Sequence, residues 1–303
     1  MNVVIALLVG NEAELIEAQI AYHLDLGVVG MVIADLNSLD GTTERLAPYA
    51  TDPRLVIRRF EEDSLISAQG MRMSEVWAWT LDAARSHFAP DWVVRLDADE
   101  FLMPQTPDLA QAFAAHDTHI ATRIPRHNAV FEAGPPEVFA GPRSYADLAA
   151  QVIVKTPLSS DAARAGAQDA CPLILTRIQP KVAVRPDAVG NFTTGGHGAV
   201  HANGTALKIP TSRSLAIVHY WFTTLGRFQR KSSFLLEFEE RYRRFMPEKA
   251  GWKWSHWARV AAEGPAAVVA EFARQFPDPE TCAQLRRDGI IGPAAQLWSD
   301  PNA

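Results

Sequence analysis

Three carboxylates stand at the end of one apolar run: Asp97, Asp99 and Glu100 follow Trp92-Val93-Val94-Arg95-Leu96. The run is rich in β-formers and reads as a largely buried strand. In an extended chain residues two apart share a side, so Asp97 and Asp99 are expected to reach one point, with small Ala98 between them. Two carboxylates that close would repel and push one pKa up. A hard divalent cation removes the repulsion. Oxygen ligands suit Mg²⁺ or Mn²⁺, and the open positions on such a cation suit phosphate oxygens. A solvated acidic turn is the other reading of so short a pattern. Its place after an apolar strand and before Phe101-Leu102-Met103 puts a ligand site on an equal footing with that turn.

The elements that must position these residues are legible as runs and periods. Val3 to Val9 is a continuous apolar stretch of strand length, as for a central parallel strand. Gly10-Asn11-Glu12 breaks it, and Leu15, Ile16, Ile20 and Leu24 then follow helical spacing up to Gly27. Val28 to Ala34 predicts a second strand, ending in Asp35-Leu36-Asn37-Ser38-Leu39-Asp40-Gly41-Thr42. A helix over about 43–49 and a strand over 54–60 complete a β-α-β-α-β series, the opening of a doubly wound parallel sheet. Ligands of such sheets sit at the carboxyl ends of the strands, where Asn11/Glu12, Asp35/Asp40 and Asp97/Asp99 all fall. Further along, the patterns predict a helix over 67–87 and strands over 119–124, 173–177, 181–184 and 214–220. Residues 132–172 read as long loops with a short helix near 145–150, and Gly195-Gly196-His197-Gly198 as a mobile or tightly turned loop. After Thr224 the chain reads as helical over 225–245, 253–263 and 265–276, which divides it into a sheet unit, 1–223, and a helical extension, 224–303.

Composition narrows the class. A hydrophobic content of 48% over 303 residues supports a full core. A net charge of −6 argues against a nucleic-acid partner, which calls for a basic excess. Cys171 and Cys282 form neither a zinc spacing nor a disulfide framework, which suggests a reducing compartment. The apolar start is too short to span a bilayer, so a cytoplasmic protein is expected.

The motifs taken in order resemble the family 2-like glycosyltransferases of the GT-A fold, particularly the branch shared with family 92-type enzymes. The resemblance rests on Asn11-Glu12, on Ala21-Tyr22-His23-Leu24 with Gly27, and on Asp35-Leu36-Asn37-Ser38-Leu39-Asp40-Gly41-Thr42, where Leu36 replaces the usual Asn. It continues with Gln69, Asp91-Trp92, Asp97-Ala98-Asp99-Glu100-Phe101, Lys181, Arg185-Pro186, His219-Tyr220 and Lys231. It spans roughly residues 3–235 and leaves 236–303 without a counterpart.

What the resemblance implies is a GT-A, Rossmann-like α/β fold and a metal-dependent, inverting transfer of sugar from a nucleotide-sugar donor, a UDP- or GDP-sugar. The acceptor would be a glycan, a lipid-linked molecule or a protein. A divalent cation, Mn²⁺ or Mg²⁺, would bridge the aspartates and the diphosphate and act as a Lewis acid on the leaving group. Asp99 would be the main ligand, Asp97 would bind ribose, metal or both, and His219 would complete the shell from a late strand. A core histidine beside Tyr220 is the alternative for His219. Asn11, Glu12 and Asp35 would contact base or ribose. Asp40 would cap the following helix or touch nucleotide, and Lys181 and Lys231 would offset phosphate charge. The base that deprotonates the acceptor would come from His197, Glu132, Asp147 or Glu100, with His197 favoured by its flanking glycines. His23 fits packing better than chemistry. The run Arg241-Tyr242-Arg243-Arg244 with Trp252, Trp254 and Trp257 is either a solvated helix face or a contact with a membrane surface or partner. A nucleotidyltransferase, a glycoside hydrolase with two carboxylates and a non-catalytic sugar- or partner-binding module are the competing classes.

Overall fold

The computed structural model describes residues 1–67, 70–158, 172–242 and 252–299. Gln69, Cys171, Arg243 and Arg244 lie outside the described residues.

Val3–Val9 is buried along its whole length. Val3, Ile5, Leu7 and Val9 enter one hydrophobic cluster, and Val4, Ala6 and Leu8 enter another on the opposite face. A strand covered on both faces has no polar side to show, which is why its sequence is a continuous apolar run. It lies inside a six-stranded sheet in the order Leu55–Arg59, Gly30–Asp35, Val3–Val9, Trp92–Asp97, Lys181–Val184, Ala121–Ile124. The first four strands are parallel. Lys181–Val184 runs antiparallel to both of its neighbours. Helices Ile16–Asp25 and Met73–Phe88 pack on the sheet, and the chain has the α/β architecture with a mostly parallel central sheet expected from its opening. The second helix starts six residues later than its apolar pattern suggested.

A second sheet of three strands receives the chain after the acidic motif. Glu100–Pro104 pairs antiparallel with Leu215–His219, which pairs parallel with Arg126–Asn128. In that register His219 lies opposite Glu100 on one side and Asn128 on the other.

The C-terminal part is helical: Leu225–Tyr242, Trp252–Glu263, Pro265–Arg274 and Pro279–Arg287. The last helix went unread in the sequence, although Asp278 caps it by accepting the Thr281 N–H at 2.9 Å and Pro279 occupies its first turn. Phe228, Trp257 and Phe272 share a third hydrophobic cluster with Val130, Val154, Leu173 to Leu175 and Trp221. Trp257 is fully buried there, while Trp254 keeps 40% exposure, so the tryptophans do not form one surface face. Leu173–Leu175 is a 3-10 turn, not the expected strand. Apolar runs this short carry no periodicity, and all three side chains are buried in the third cluster, with the Ile174 N–H donating to Gln275. Within the expected long loops, Val152–Val154 forms a strand paired antiparallel with Ile291–Pro293. Among the described residues no helix is long and apolar enough to cross a membrane.

His23 is buried, with Nδ1 donating to the Gln19 carbonyl at 2.9 Å and Nε2 accepting the Leu102 N–H at 3.2 Å. Burial lowers its pKa to about 4. The unfolded chain titrates near 6.5, so it binds more protons than the folded protein between those values, and stability falls as pH drops from about 6.5 to about 4. This group accounts for a loss of about 3 kcal/mol across that window. Urea midpoints at pH 7 and pH 4.5 measure it: His23→Gln is expected to be less stable at pH 7 but to show a flatter decline. An unchanged decline would show that His23 does not titrate this way.

Candidate functional site

The strand Trp92–Asp97 ends at Asp97 and the next begins at Glu100, so Ala98 and Asp99 form a turn between two sheets. The extended alternation expected to aim Asp97 and Asp99 at one point therefore stops at Asp97, and the two carboxylates take separate partners. Asp97 Oδ2 lies 2.5 Å from Lys181 Nζ, and Oδ1 lies 2.7 Å from Arg95 Nη1. Arg95 is two residues upstream on the same strand, which puts it on the same side as Asp97. Burial would raise the Asp97 carboxyl, but Arg95 and Lys181 outweigh it and hold the group well below the usual carboxylate range. Arg95 Nη1 meets Asp97 outside hydrogen-bond geometry, so Arg95 Nε and Nη1 remain buried without a hydrogen-bond acceptor.

Asp99 is almost wholly buried. Its Oδ2 accepts from Arg227 Nη2 at 2.7 Å and Lys231 Nζ at 3.2 Å, while Oδ1 lies 3.4 Å from His219 Nε2. Burial again opposes ionisation, and the cations Lys231 and Arg227 overcome it.

His219 has its tautomer set by its other nitrogen. Asn128 donates its amide N–H groups to the carbonyls of Ile174 at 2.7 Å and Thr176 at 3.3 Å. Its Oδ1 is therefore an acceptor, and His219 Nδ1–H donates to it at 2.9 Å. Burial pushes the His219 pKa below the ordinary 6.5 against the pull of Asp99. The neutral ring thus turns a lone pair on Nε2 toward a carboxylate oxygen. Two acceptors facing each other call for a cation between them. Asp99, Glu100 and His219 each offer a ligand atom, all within 4.8 Å of one another. Two carboxylate oxygens and an imidazole nitrogen form a donor set that suits Mn²⁺, so the residues present fit a divalent cation. Glu100 joins this group where Asp97 was expected.

Glu100 is fully buried. Its Oε1 pairs with Arg126, and its Oε2 accepts the Asp97 N–H at 2.8 Å and lies 3.7 Å from Lys181 Nζ. Lys181 Nζ also donates to the Gly195 carbonyl at 2.9 Å. Gly195 and Gly196 have φ of +73° and +69°, and a Cβ on Gly196 would come within 2.4 Å of Arg95 Cγ. Of the two expectations for this loop, the tight turn is what forms, pinned onto Arg95 and Lys181. His197 Nδ1–H donates to the Pro180 carbonyl at 2.9 Å. Burial, then Lys181 and Arg126, lower its pKa to about 3.

Glu12 enters the charged cluster, with both oxygens 2.7 Å from Arg227. Burial raises its pKa against that pairing. Asn11, Asp35 and Asp40 instead tie loops together. Asn11 Oδ1 accepts the Leu39 N–H at 2.7 Å. Asp35 accepts the Ser38 N–H at 3.0 Å and the Thr43 hydroxyl at 2.6 Å. Asp40 accepts the N–H groups of Thr42 and Ala13, each at 3.1 Å, while Gly41 is the helix N-cap. A cavity of about 220 Å³ beside them is lined by Asp35, Thr43, Leu46, Ile57 and Arg59. Glu132 pairs with Arg286, and Asp147 accepts the Arg143 N–H at 2.9 Å, so neither joins the cluster. Arg95, Arg126 and Arg227 are site residues that sequence reasoning missed. The i, i+4 spacing of Arg227 and Lys231 on one helix is the signal that carried Arg227.

No protein-family model matches the chain, and no curated protein matches it. Among solved structures, S. aureus TarS 1-349 is 13% identical, with a TM-score of 0.40 over 95% of this chain and 92% of that one. Glucosyl-3-phosphoglycerate synthase from Mycobacterium tuberculosis, in complex with Mn²⁺, UDP and glucosyl-3-phosphoglycerate, is 12% identical, with a TM-score of 0.38 over 91% of this chain and 81% of that one. A mycobacterial protein is 13% identical, with a TM-score of 0.36 over 78% and 74%.

Lys181 is 1% exposed and faces two carboxylates. Lys181→Met leaves both short of a partner. Breaking a buried pair costs about 3–5 kcal/mol, and the low end is expected because Asp97 keeps 40% of its side chain exposed. Urea denaturation of the variant reads the loss, and a change below about 1 kcal/mol would show that Arg95 and Arg126 suffice.

Proposed function

We propose that this chain is a glycosyltransferase of the GT-A kind, which moves a sugar from a nucleotide-sugar donor to an acceptor hydroxyl with the help of a divalent cation. The observation that carries the reading is the meeting of Asp99, Glu100 and His219, with His219 Nε2 3.4 Å from Asp99 Oδ1, just beyond the carboxyl end of a central parallel strand. Asp99, His219 and Glu100 would hold the cation, which when bound offsets the charge that builds on a departing diphosphate.

The chain's own residues account for the rest of the reading. Lys231 keeps 27% of its side chain exposed and meets a phosphate oxygen. Asp97, with 40% exposed, accepts from a ribose hydroxyl. Asn11, Asp35 and Asp40 shape the loops that frame the nucleoside. In the transfer, the bond from the anomeric carbon to the diphosphate oxygen breaks and its electron pair leaves with the diphosphate. A bond to the acceptor oxygen forms, and the acceptor proton passes to a base. Of the four candidates, Glu100 is taken as a ligand of the cation, Glu132 is bound to Arg286, and Asp147 serves its own loop. His197 Nε2 keeps a lone pair, because Nδ1 carries the proton given to Pro180. At a pKa of about 3 it is a weak base in the free protein, and diphosphate charge beside Lys181 would raise it.

Thermal-shift titration with UDP and GDP, in Mn²⁺ and in EDTA, tests the reading. One nucleotide is expected to stabilise the protein only when Mn²⁺ is present, and equal stabilisation in EDTA would sink the metal assignment. Asp99→Asn is expected to abolish that Mn²⁺-dependent shift and nearly all transfer. It also lowers the melting temperature, because Asp99 is a buried partner of Arg227.

His219→Ala separates a ligand from a packing residue. Mn²⁺ affinity in the presence of nucleotide is expected to fall roughly 10-fold or more. In the unsubstituted protein the affinity falls as pH drops, since only the neutral ring can ligate. Burial places that loss below pH 6.5. A lower melting temperature with unchanged Mn²⁺ affinity would make His219 a core residue.

A further inference from the structure

Arg227 has no part in the reading above, yet it is immobilised in the middle of the site. It is 3% exposed, and each of its five N–H groups has an acceptor. Nε and one Nη2 hydrogen go to Glu12 at 2.7 Å each, the second Nη2 hydrogen goes to Asp99 Oδ2 at 2.7 Å, and Nη1 donates to the Tyr220 and Trp221 carbonyls at 3.1 Å each. A guanidinium with every donor used cannot swing to a ligand without leaving buried acceptors bare. Lys231, one helical turn on, shares the same Asp99 oxygen at 3.2 Å but keeps 27% of its side chain exposed.

The charges around the turn are then compensated before any ligand arrives. Arg95, Arg126, Lys181, Arg227 and Lys231 stand against Glu12, Asp97, Asp99 and Glu100. Among the described residues paired at the site, one cation is in excess. A dedicated divalent site has the opposite balance. A free divalent cation approaching Asp99 Oδ1 meets two positive charges already on Oδ2 of the same carboxylate. A diphosphate reverses this, because it brings the negative charge that the cation needs and gives Lys231 another partner.

We propose that Arg227 and Lys231 are resident counter-cations of Asp99 that keep the free protein's affinity for a divalent cation low, so that the cation enters together with a diphosphate rather than ahead of it. The proposal rests on the nucleotide-sugar reading for the identity of the diphosphate. Arg227 is a positioning residue, and Glu12, with both oxygens on Arg227, is its counter-charge and not a nucleotide contact. The helix Leu225–Tyr242 is thereby part of the site and not an appendage.

Isothermal titration with Mn²⁺ tests this on the full chain, for the unsubstituted protein and Lys231→Gln, each alone and with saturating UDP, repeated with GDP. In the unsubstituted protein UDP or GDP is expected to tighten Mn²⁺ binding at least 10-fold. Lys231→Gln is expected to tighten Mn²⁺ binding to the nucleotide-free protein by about 10-fold, the order for one charge removed about 6 Å from a divalent ion at a wet site edge, and to shrink the nucleotide effect. The double variant Glu12→Gln/Arg227→Gln, which removes the buried pair together, is expected to tighten it in the same direction. Equal Mn²⁺ affinity with and without a nucleotide that itself binds, or a Lys231→Gln variant that binds free Mn²⁺ no better, would overturn the proposal. The nucleotide-free comparison stands by itself: if no nucleotide binds and Lys231→Gln still tightens Mn²⁺, the nucleotide-sugar reading falls while the counter-cation role holds.

Discussion

The site is organised by the need to keep a charged carboxylate in a place that water barely reaches. Asp99 is 3% exposed, and an ion so buried survives only if its lone pairs are occupied and its charge is matched. Two cations far from Asp99 in sequence meet that need, Arg227 and Lys231, both on one helix. Arg227 in turn is held by Glu12, which follows the first strand of the central sheet. Thr223 and Thr224, just before the helix, donate to Glu14 at 2.6 and 2.5 Å. The helix is therefore anchored to the first loop through side chains on both sides of the site.

The turn at Ala98 and Asp99 is what makes this convergence possible. The strand Trp92–Asp97 belongs to the central sheet and Glu100–Pro104 to the second one. A chain that changes sheets between two acidic residues sends their side chains to different neighbours. Asp97 stays with the central sheet and pairs with Arg95 and Lys181. Asp99 meets the second sheet and the C-terminal helix. Glu100 is the hinge between the two groups, since its Oε2 accepts the Asp97 N–H while its strand register sets it opposite His219.

Neutral imidazoles recur around these charges. His219 and His197 both spend Nδ1–H on a fixed oxygen, of Asn128 and of Pro180 respectively. Burial and nearby cations keep both rings unprotonated, so each presents an Nε2 lone pair in a region otherwise crowded with donors. On the proposed reading, one lone pair serves as a ligand for a cation and the other as an acceptor for a proton.

The sequence by itself determined the central sheet and the positions of the acidic residues at its strand ends. Runs such as Val3 to Val9 are apolar on both faces because both faces are covered, and that requirement is local enough to be read. The two-residue period also puts Arg95 beside Asp97, although read from the sequence it pointed to Asp97 and Asp99 instead. Only the tertiary structure decided which charges meet. Arg227 is 128 positions from Asp99 and 215 from Glu12, and no period or spacing links residues so distant. Leu173 to Leu175 shows the same limit for the fold: three apolar residues fit a strand or a turn, and the helical cluster that buries them chose the turn. Local patterns record which face of an element is buried. The partner waiting on that face is set by packing between elements, and at this site the partners are the chemistry.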